Sequence, residues 1–354
     1  MKTVCYVQTN IGPARANNED NYFCAGRYKE NLQAPMEELL QTPEGDALLF
    51  GVFDGMGGEA GGEQASLLCA QTLQELSAWD RGFEAPAFYH RANAAVTSYG
   101  QSLGCTSGST AAIAFLRANR LFVSNLGDSR IYHLHDGHLR CLTYDHTHWQ
   151  QLADAGYTVI DESEHHVLTQ FLGMGIQRPI SPHFAVSVRV EAGDRILLCT
   201  DGVTGVLDDA KLLEELRLPG GAEQAGRMLI RSALEAGTQD NLTAVVVEIA
   251  ELDEEDASLE DAYQDTPSTR RFDVPTPEQI EEQKRIENAP MRQMQRSVFW
   301  TLIALLAMTL TILFVALFFG SNRTAASLVD APERIGYNAL AEPLGEEGTN
   351  CPNP

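Results

Sequence analysis

Apolar residues in the first 250 positions fall into short runs: VCYVQT (4–9), ALLFGVFD (47–54), STAAIAFL (109–116), RLFVSN (120–125), RIYHL (130–134), HLRCLT (138–143), RILLCT (195–200) and TAVVVEI (243–249). Aliphatic and β-branched segments of this length, bounded by Gly, Asp and Asn, predict β-strands. Apolar residues at three-to-four spacing predict helices over 62–77, 85–99, 148–155, 208–217 and 221–236. Asp136-Gly137, between RIYHLH and HLRCLT, predicts a tight hairpin. Consecutive hairpins with helices set apart from them predict one layered α+β domain with antiparallel sheets over residues 1–250.

The pattern changes beyond that point. Residues 251–297 are acidic, hold prolines at 267, 275, 277 and 290, and have little apolar content, which predicts a disordered linker. Residues 298–319, VFWTLIALLAMTLTILFVALFF, are 22 uncharged and mostly apolar positions, a helix of about 33 Å, long enough to cross a bilayer. Lys284, Arg285, Arg292 and Arg296 precede this run and only Arg323 follows closely. That asymmetry predicts a single-pass anchor in the inner (plasma) membrane, with residues 1–297 cytoplasmic and 320–354 an extracytoplasmic tail.

The net charge of −24 disfavours nucleic acid as a partner, since no basic patch is present to hold its phosphates. Seven cysteines are scattered without a C-x-x-C pair, which fits a reducing compartment, and the N-terminus carries no apolar leader.

Four acids stand at the ends of the strand-like runs: Asp54, Asp128, Asp201 and Asp240. A strand that ends on Asp holds a carboxylate on rigid backbone, and several such ends can converge on hard cations that prefer oxygen. Water between two such cations becomes a nucleophile near neutral pH, suited to attack on a phosphate ester. Taken singly, each Asp-Gly also reads as a turn dipeptide.

In chain order the motifs are Arg15-Ala-Asn-Asn18-Glu19-Asp20-Asn21, Asp54-Gly55-Met56-Gly57-Gly58, Gly108-Ser109-Thr110, Gly127-Asp128-Ser129-Arg130, Leu142-Thr-Tyr-Asp145-His146, Asp201-Gly202 and Asp240-Asn241. The set resembles the metal-dependent serine/threonine protein phosphatases of type 2C, in their bacterial form, over residues 1–250. The resemblance implies two antiparallel sheets sandwiched between helix layers, and hydrolysis of phosphoserine and phosphothreonine in proteins. It also implies two Mn²⁺ or Mg²⁺ ions, often with a third. Asp54 would bridge the two ions. Asp201 and Asp240 would complete one site, and Glu19 with the Gly55 carbonyl the other. Asp20 would hold water at the ions, Asp128 with Asp201 would take the third ion, and Arg15 would grip the substrate phosphate. Family habit adds phosphorylated proteins and a cognate membrane Ser/Thr kinase as partners.

The chain departs from the family in places. Met56 stands where many eukaryotic members carry His, Glu59 where bacterial relatives commonly carry His, and Leu168-Thr169-Gln170 where relatives often carry Thr-Arg. These departures keep open an alternative, a phosphatase-shaped sensor that binds phosphopeptide or metal without turnover. His133-x-His135-x-x-His138 places two imidazoles on one strand face and a third across the hairpin. With no fourth ligand following, they read as exposed polar residues rather than a metal site. His146, His148, His165 and His166 read as packing or surface residues.

Overall fold

The structure, a computed structural model, describes residues 1–57, 61–77, 83–157, 164, 166–175, 178–185 and 187–253. In chain order the elements begin with strands β1 (Lys2–Asn10), β2 (Asn21–Cys24), β3 (Arg27–Tyr28), β4 (Met36–Gln41), β5 (Ala47–Phe53) and β6 (Gly55–Gly57). Helices α1 (Gly62–Ser77) and α2 (Ala85–Leu103) follow, then β7 (Ser107–Ser109), β8 (Ala111–Arg117), β9 (Arg120–Leu126), β10 (Arg130–His135) and β11 (His138–Cys141). The remainder is α3 (His148–Asp154), β12 (His183–Phe184), β13 (Val188–Arg189), β14 (Arg195–Cys199), α4 (Asp201–Thr204), α5 (Asp209–Leu216), α6 (Gly221–Glu235) and β15 (Leu242–Glu251).

One sheet has the order β11-β10-β14-β15-β1-β4 and the other β12-β9-β8-β5-β2-β3, with β13 also on β9. The pairings within both are antiparallel. Strand alternation sorts side chains between two environments. Val7, Ile131, Ile196, Leu198, Val245 and Val247 of the first sheet face Tyr22, Phe50, Val52, Ala112 and Ala114 of the second in a common core. The opposite residues of the first sheet, such as Tyr6, Leu197 and Val246, pack on Leu212, Leu229 and Ile230 of α5 and α6. Those of the second, such as Phe23, Phe53 and Ile113, pack on Leu73 and Phe88 of α1 and α2. The result is the expected sandwich of two antiparallel sheets between helix layers.

The periodic elements stand where the patterning put them, within a few residues. The Asp136-Gly137 hairpin forms, both residues with positive φ (45° and 73°) and His135 opposite His138. The patterning does not predict strand β4, MEELLQ, which among the described residues pairs with β1 at the sheet edge and whose burial alternates between exposed and intermediate, leaving no strong apolar period. The short β2 and the single turn α4 also escape a pattern that needs several residues to register.

Among the described residues no helix is long and apolar enough to cross a membrane. The linker from residue 254 onward, the run 298–319 and the tail 320–354 lie outside the described residues. Of the cysteines, Cys5, Cys24, Cys69 and Cys199 are buried free thiols, and Cys105 and Cys141 are exposed.

Helix α6 approaches the first sheet at Gly226, where an added Cβ would lie 2.2 Å from Cδ1 of Tyr6, itself buried in the core. Gly226→Ala is therefore expected to destabilise the domain by about 2 kcal/mol through overpacking. Thermal unfolding should show the midpoint lowered by roughly 4–8 °C; an unchanged midpoint would mean the helix can move off the sheet freely.

Candidate metal centre

The register of the strands gathers the acids. Leu242 pairs with Asn10, Cys199 with Ala244 and with Arg130, Phe53 with Asn21, and Leu126 with Ala111. In antiparallel sheets these pairings bring the C-terminal ends of β1, β5, β9 and β14 to the same edge as the N-terminal ends of β2, β8, β10 and β15. Asp20, Asp54, Asp128, Asp201 and Asp240 all sit at those ends. The Coulombic influence of Asp201, Asp20, Asp128 and Asp240 on Asp54 reports their proximity.

Each acid is fixed by its neighbours. Asp54 donates its backbone N–H to Thr110 Oγ1 at 3.0 Å and accepts from the Thr110 N–H at 2.9 Å. One oxygen of Asp20, Oδ2, accepts from Thr200 Oγ1 at 2.8 Å and Thr243 Oγ1 at 2.7 Å. Asn241 donates to the carbonyls of Ile11 (2.8 Å) and Asn17 (2.9 Å) and accepts from the Glu19 N–H at 2.7 Å, so it pins the loop that carries Arg15, Glu19 and Asp20. Lys29 is fully buried, and its Nζ donates to the Asn18 carbonyl at 2.7 Å. Arg15 lies at the mouth, Nη2 2.6 Å from Asp240 Oδ2.

The glycines after the acids answer to crowding rather than to turn preference alone. A Cβ on Gly55 would lie 2.1 Å from the Gly62 carbonyl oxygen and 2.6 Å from that of Glu19. A Cβ on Gly202 would lie 1.9 Å from the Asn241 carbonyl oxygen. Backbones must touch here for the carboxylates to converge.

The electrostatics are unfavourable without a counter-charge. Burial, then the negative charges of Asp201, Asp20, Asp128 and Asp240, push the Asp54 carboxyl well above its usual range. Burial, then Asp201 and Asp145, do the same to Asp128. Burial raises Asp20 to about 7, against the hydrogen bonds from Thr243 and Thr200, and burial followed by Glu63 raises Glu19 to about 7. Burial lowers the Lys29 ammonium to about 8 despite the adjacent acids. Oδ1 of Asp20, Asp128 and Asp201 are buried with no hydrogen-bond partner among the described residues. Buried carboxylate oxygens without donors, on acids close enough to act on one another, suit a hard cation, and the residues fit Mn²⁺ or Mg²⁺. Among the described residues, no three of these acids offer oxygens all within 4.8 Å of one another.

Thus the structure brings together Arg15, Glu19, Asp20, Asp54, Gly55, Asp128, Asp201 and Asp240. Asp145 is elsewhere, held by Arg130 through Nη2–Oδ2 at 2.5 Å. The histidines divide. His146 is buried, with Nε2 3.2 Å from the Ser181 carbonyl, as a packing residue should be. His166 is exposed and reaches the cluster, Nδ1 3.8 Å from Asp201 Oδ2. His133 corrects its reading as an exposed hairpin residue: it is buried, because Asp194 meets it at the rim of the core. Thr110, Asn241, Lys29 and His166 were not picked out as site residues. Thr110 and Asn241 close the motifs Gly108-Ser109-Thr110 and Asp240-Asn241, whereas Lys29 carries no local signal.

Two outcomes follow from this geometry. A carboxyl whose pKa is higher folded than unfolded makes the folded state hold more protons, so stability falls as pH rises from the unfolded value near 4 to the folded value. With chelator present, the unfolding midpoint should fall between pH 5.5 and 7.5, and less so in Asp54→Asn; a flat profile in the unsubstituted chain would contradict the crowding. Asn241→Ala leaves two carbonyls and one N–H without their partner, and should cost about 3 kcal/mol in denaturant unfolding.

A model of the family described as protein phosphatase 2C matches residues 14–151. The chain is 32% identical over 256 residues to the serine/threonine protein phosphatase PstP of Mycobacterium tuberculosis, covering 70% of this chain and 45% of that protein. It thus spans less than half the length of that relative. It is 25% identical over 258 residues to the serine/threonine phosphatase stp of Listeria monocytogenes, covering 68% of this chain and 94% of the other. Among solved structures, it is similar to the catalytic domain of PstP in complex with two manganese ions, at 30% identity and a TM-score of 0.57, covering 71% of this chain and all of that one.

Proposed function

We propose that this chain, which belongs to the protein phosphatase 2C family, hydrolyses phosphoserine and phosphothreonine in proteins at the acidic edge of its two sheets. The observation that carries the reading is the set of buried, donorless oxygens on Asp20, Asp128 and Asp201 around Asp54, with Arg15 at the mouth.

When bound, Mn²⁺ or Mg²⁺ would neutralise the acids, offset charge on the phosphoryl oxygens and provide hydroxide at neutral pH. Asp54 is suited to bridge two ions, Asp201 and Asp240 to complete one site, and Glu19 with the Gly55 carbonyl to complete the other. Asp128 with Asp201 would take a third. Asp20 keeps one oxygen on Thr200 and Thr243 and leaves the other buried without a partner, which suits it to orient the attacking water. Arg15 is half exposed and held only at its tip by Asp240. Its planar fork can turn to two oxygens of a phosphate, so it binds and orients the ester. Met56 cannot donate a proton, so protonation of the departing serine or threonine oxygen falls to another group.

The apolar run at 298–319 supports a membrane anchor, with the catalytic domain cytoplasmic and a membrane Ser/Thr kinase as its counterpart. The sensor alternative has less support, since the ligand positions are intact and the relatives bear the names of phosphatases.

Release of phosphate from a phosphothreonine peptide by the full chain tests the proposal. Turnover should require Mn²⁺ or Mg²⁺ and fall by at least about 10³-fold in Asp54→Asn, as for loss of a major electrostatic element. Arg15→Ala should mainly raise KM. A folded, Mn²⁺-binding chain with no turnover would leave the sensor instead.

A further inference from the structure

A second cluster lies at the opposite end of the first sheet. His133 and His135 are two apart on β10, so both project to one face, with their rings nearly parallel and centroids 5.7 Å apart. Both inner nitrogens turn to one carboxylate: His133 Nε2 is 2.8 Å from Asp194 Oδ2 and His135 Nδ1 is 2.8 Å from Asp194 Oδ1. The three ligand atoms lie within 4.8 Å of one another.

The cluster is built on rigid supports. Asp194 is 4% exposed and accepts the Glu191 N–H at 2.9 Å on Oδ2. Its turn is tied to β15 by Gly193 N–H to the Ile249 carbonyl (2.8 Å) and Ile249 N–H to the Asp194 carbonyl (3.0 Å). His133 is 6% exposed and locked between β11 and β14. His135 is about half exposed, which leaves the cluster open to solvent on one side. His138 stays out, Nδ1 2.9 Å from the Asp136 carbonyl.

We propose that His133, His135 and Asp194 form a separate cation site for a borderline metal of the Zn²⁺ class, clamping β10 to the turn before β14. Two imidazole nitrogens and one carboxylate, with an open side for water, make a tetrahedral donor set that suits Zn²⁺ better than Mg²⁺ or Mn²⁺. The acidic edge, all oxygen, has the reverse preference. His133 lies five residues beyond Asp128, at most ~17 Å along an extended chain. On binding, the inner N–H that each neutral imidazole gives to Asp194 is lost and the outer nitrogen takes up a proton by exchange with solvent, whereas an imidazolium releases its inner proton to solvent. The expected consequence is stabilisation of the sheet edge, not catalysis.

The test is Zn²⁺ binding and thermal unfolding of the full chain already saturated with Mn²⁺. Zn²⁺ at about 100 times its Kd should raise the midpoint by roughly 5 °C or more. His135→Ala and His135→Gln, both at a half-exposed position, should weaken this Zn²⁺ binding by about tenfold or more while phosphatase activity stays unchanged. His138→Ala should bind as the unsubstituted chain does. Equal Zn²⁺ affinity in the His135 variants, loss of binding in His138→Ala alone, or absence of any Zn²⁺ stabilisation would each overturn the proposal.

Discussion

Like charges crowded into one buried edge are the constraint around which this domain is arranged. Asp54 stands among Asp20, Asp128, Asp201 and Asp240, and burial together with their fields holds its carboxyl far from its usual titration. Among the described residues, Arg15 and Lys29 are cations that act on this group of five carboxylates, with Glu19 beside them. Lys29 is the buried ammonium behind the cluster, and its own charge is weakened by burial. Two sheets with intact cores on three levels supply the rigidity that keeps such groups together. The site stores unfavourable electrostatics that a cation relieves, and the rest of the fold resists the relaxation that would otherwise disperse it.

Much of this was legible from residue patterns. Runs such as RILLCT and TAVVVEI are strands because they are buried on both faces, and their apolar continuity says so. The acids that end them could be named because strand termini in register must share an edge. MEELLQ was hidden, since an edge strand with a polar face has neither helical nor strand periodicity strong enough to stand out. Lys29 was hidden for a different reason: the acids around it, Asp20, Glu37, Glu63 and Glu19, meet it through the fold and form no periodic pattern with it along the chain.

The histidines show the same limit. His133 and His135 were placed on one strand face by alternation, correctly. Whether that face met solvent or a partner depended on Asp194, 61 residues beyond His133, and on the turn that carries it. Asp-Gly repetition likewise admitted two meanings until the contacts at Gly55 and Gly202 were visible. In both cases a long-range contact, unavailable to local pattern, decided what surrounds the residue.

Burial and mutual repulsion favour protons on the converged carboxylates, so a cation should bind there in competition with protons. Proton release on Mn²⁺ binding, followed by calorimetry in buffers of different ionisation enthalpy, tests it most directly. Binding at pH 6 should release more protons than binding at pH 8.5, because Asp54, Asp128, Asp20 and Glu19 have raised pKa values. Equal proton release at the two pH values would contradict the account.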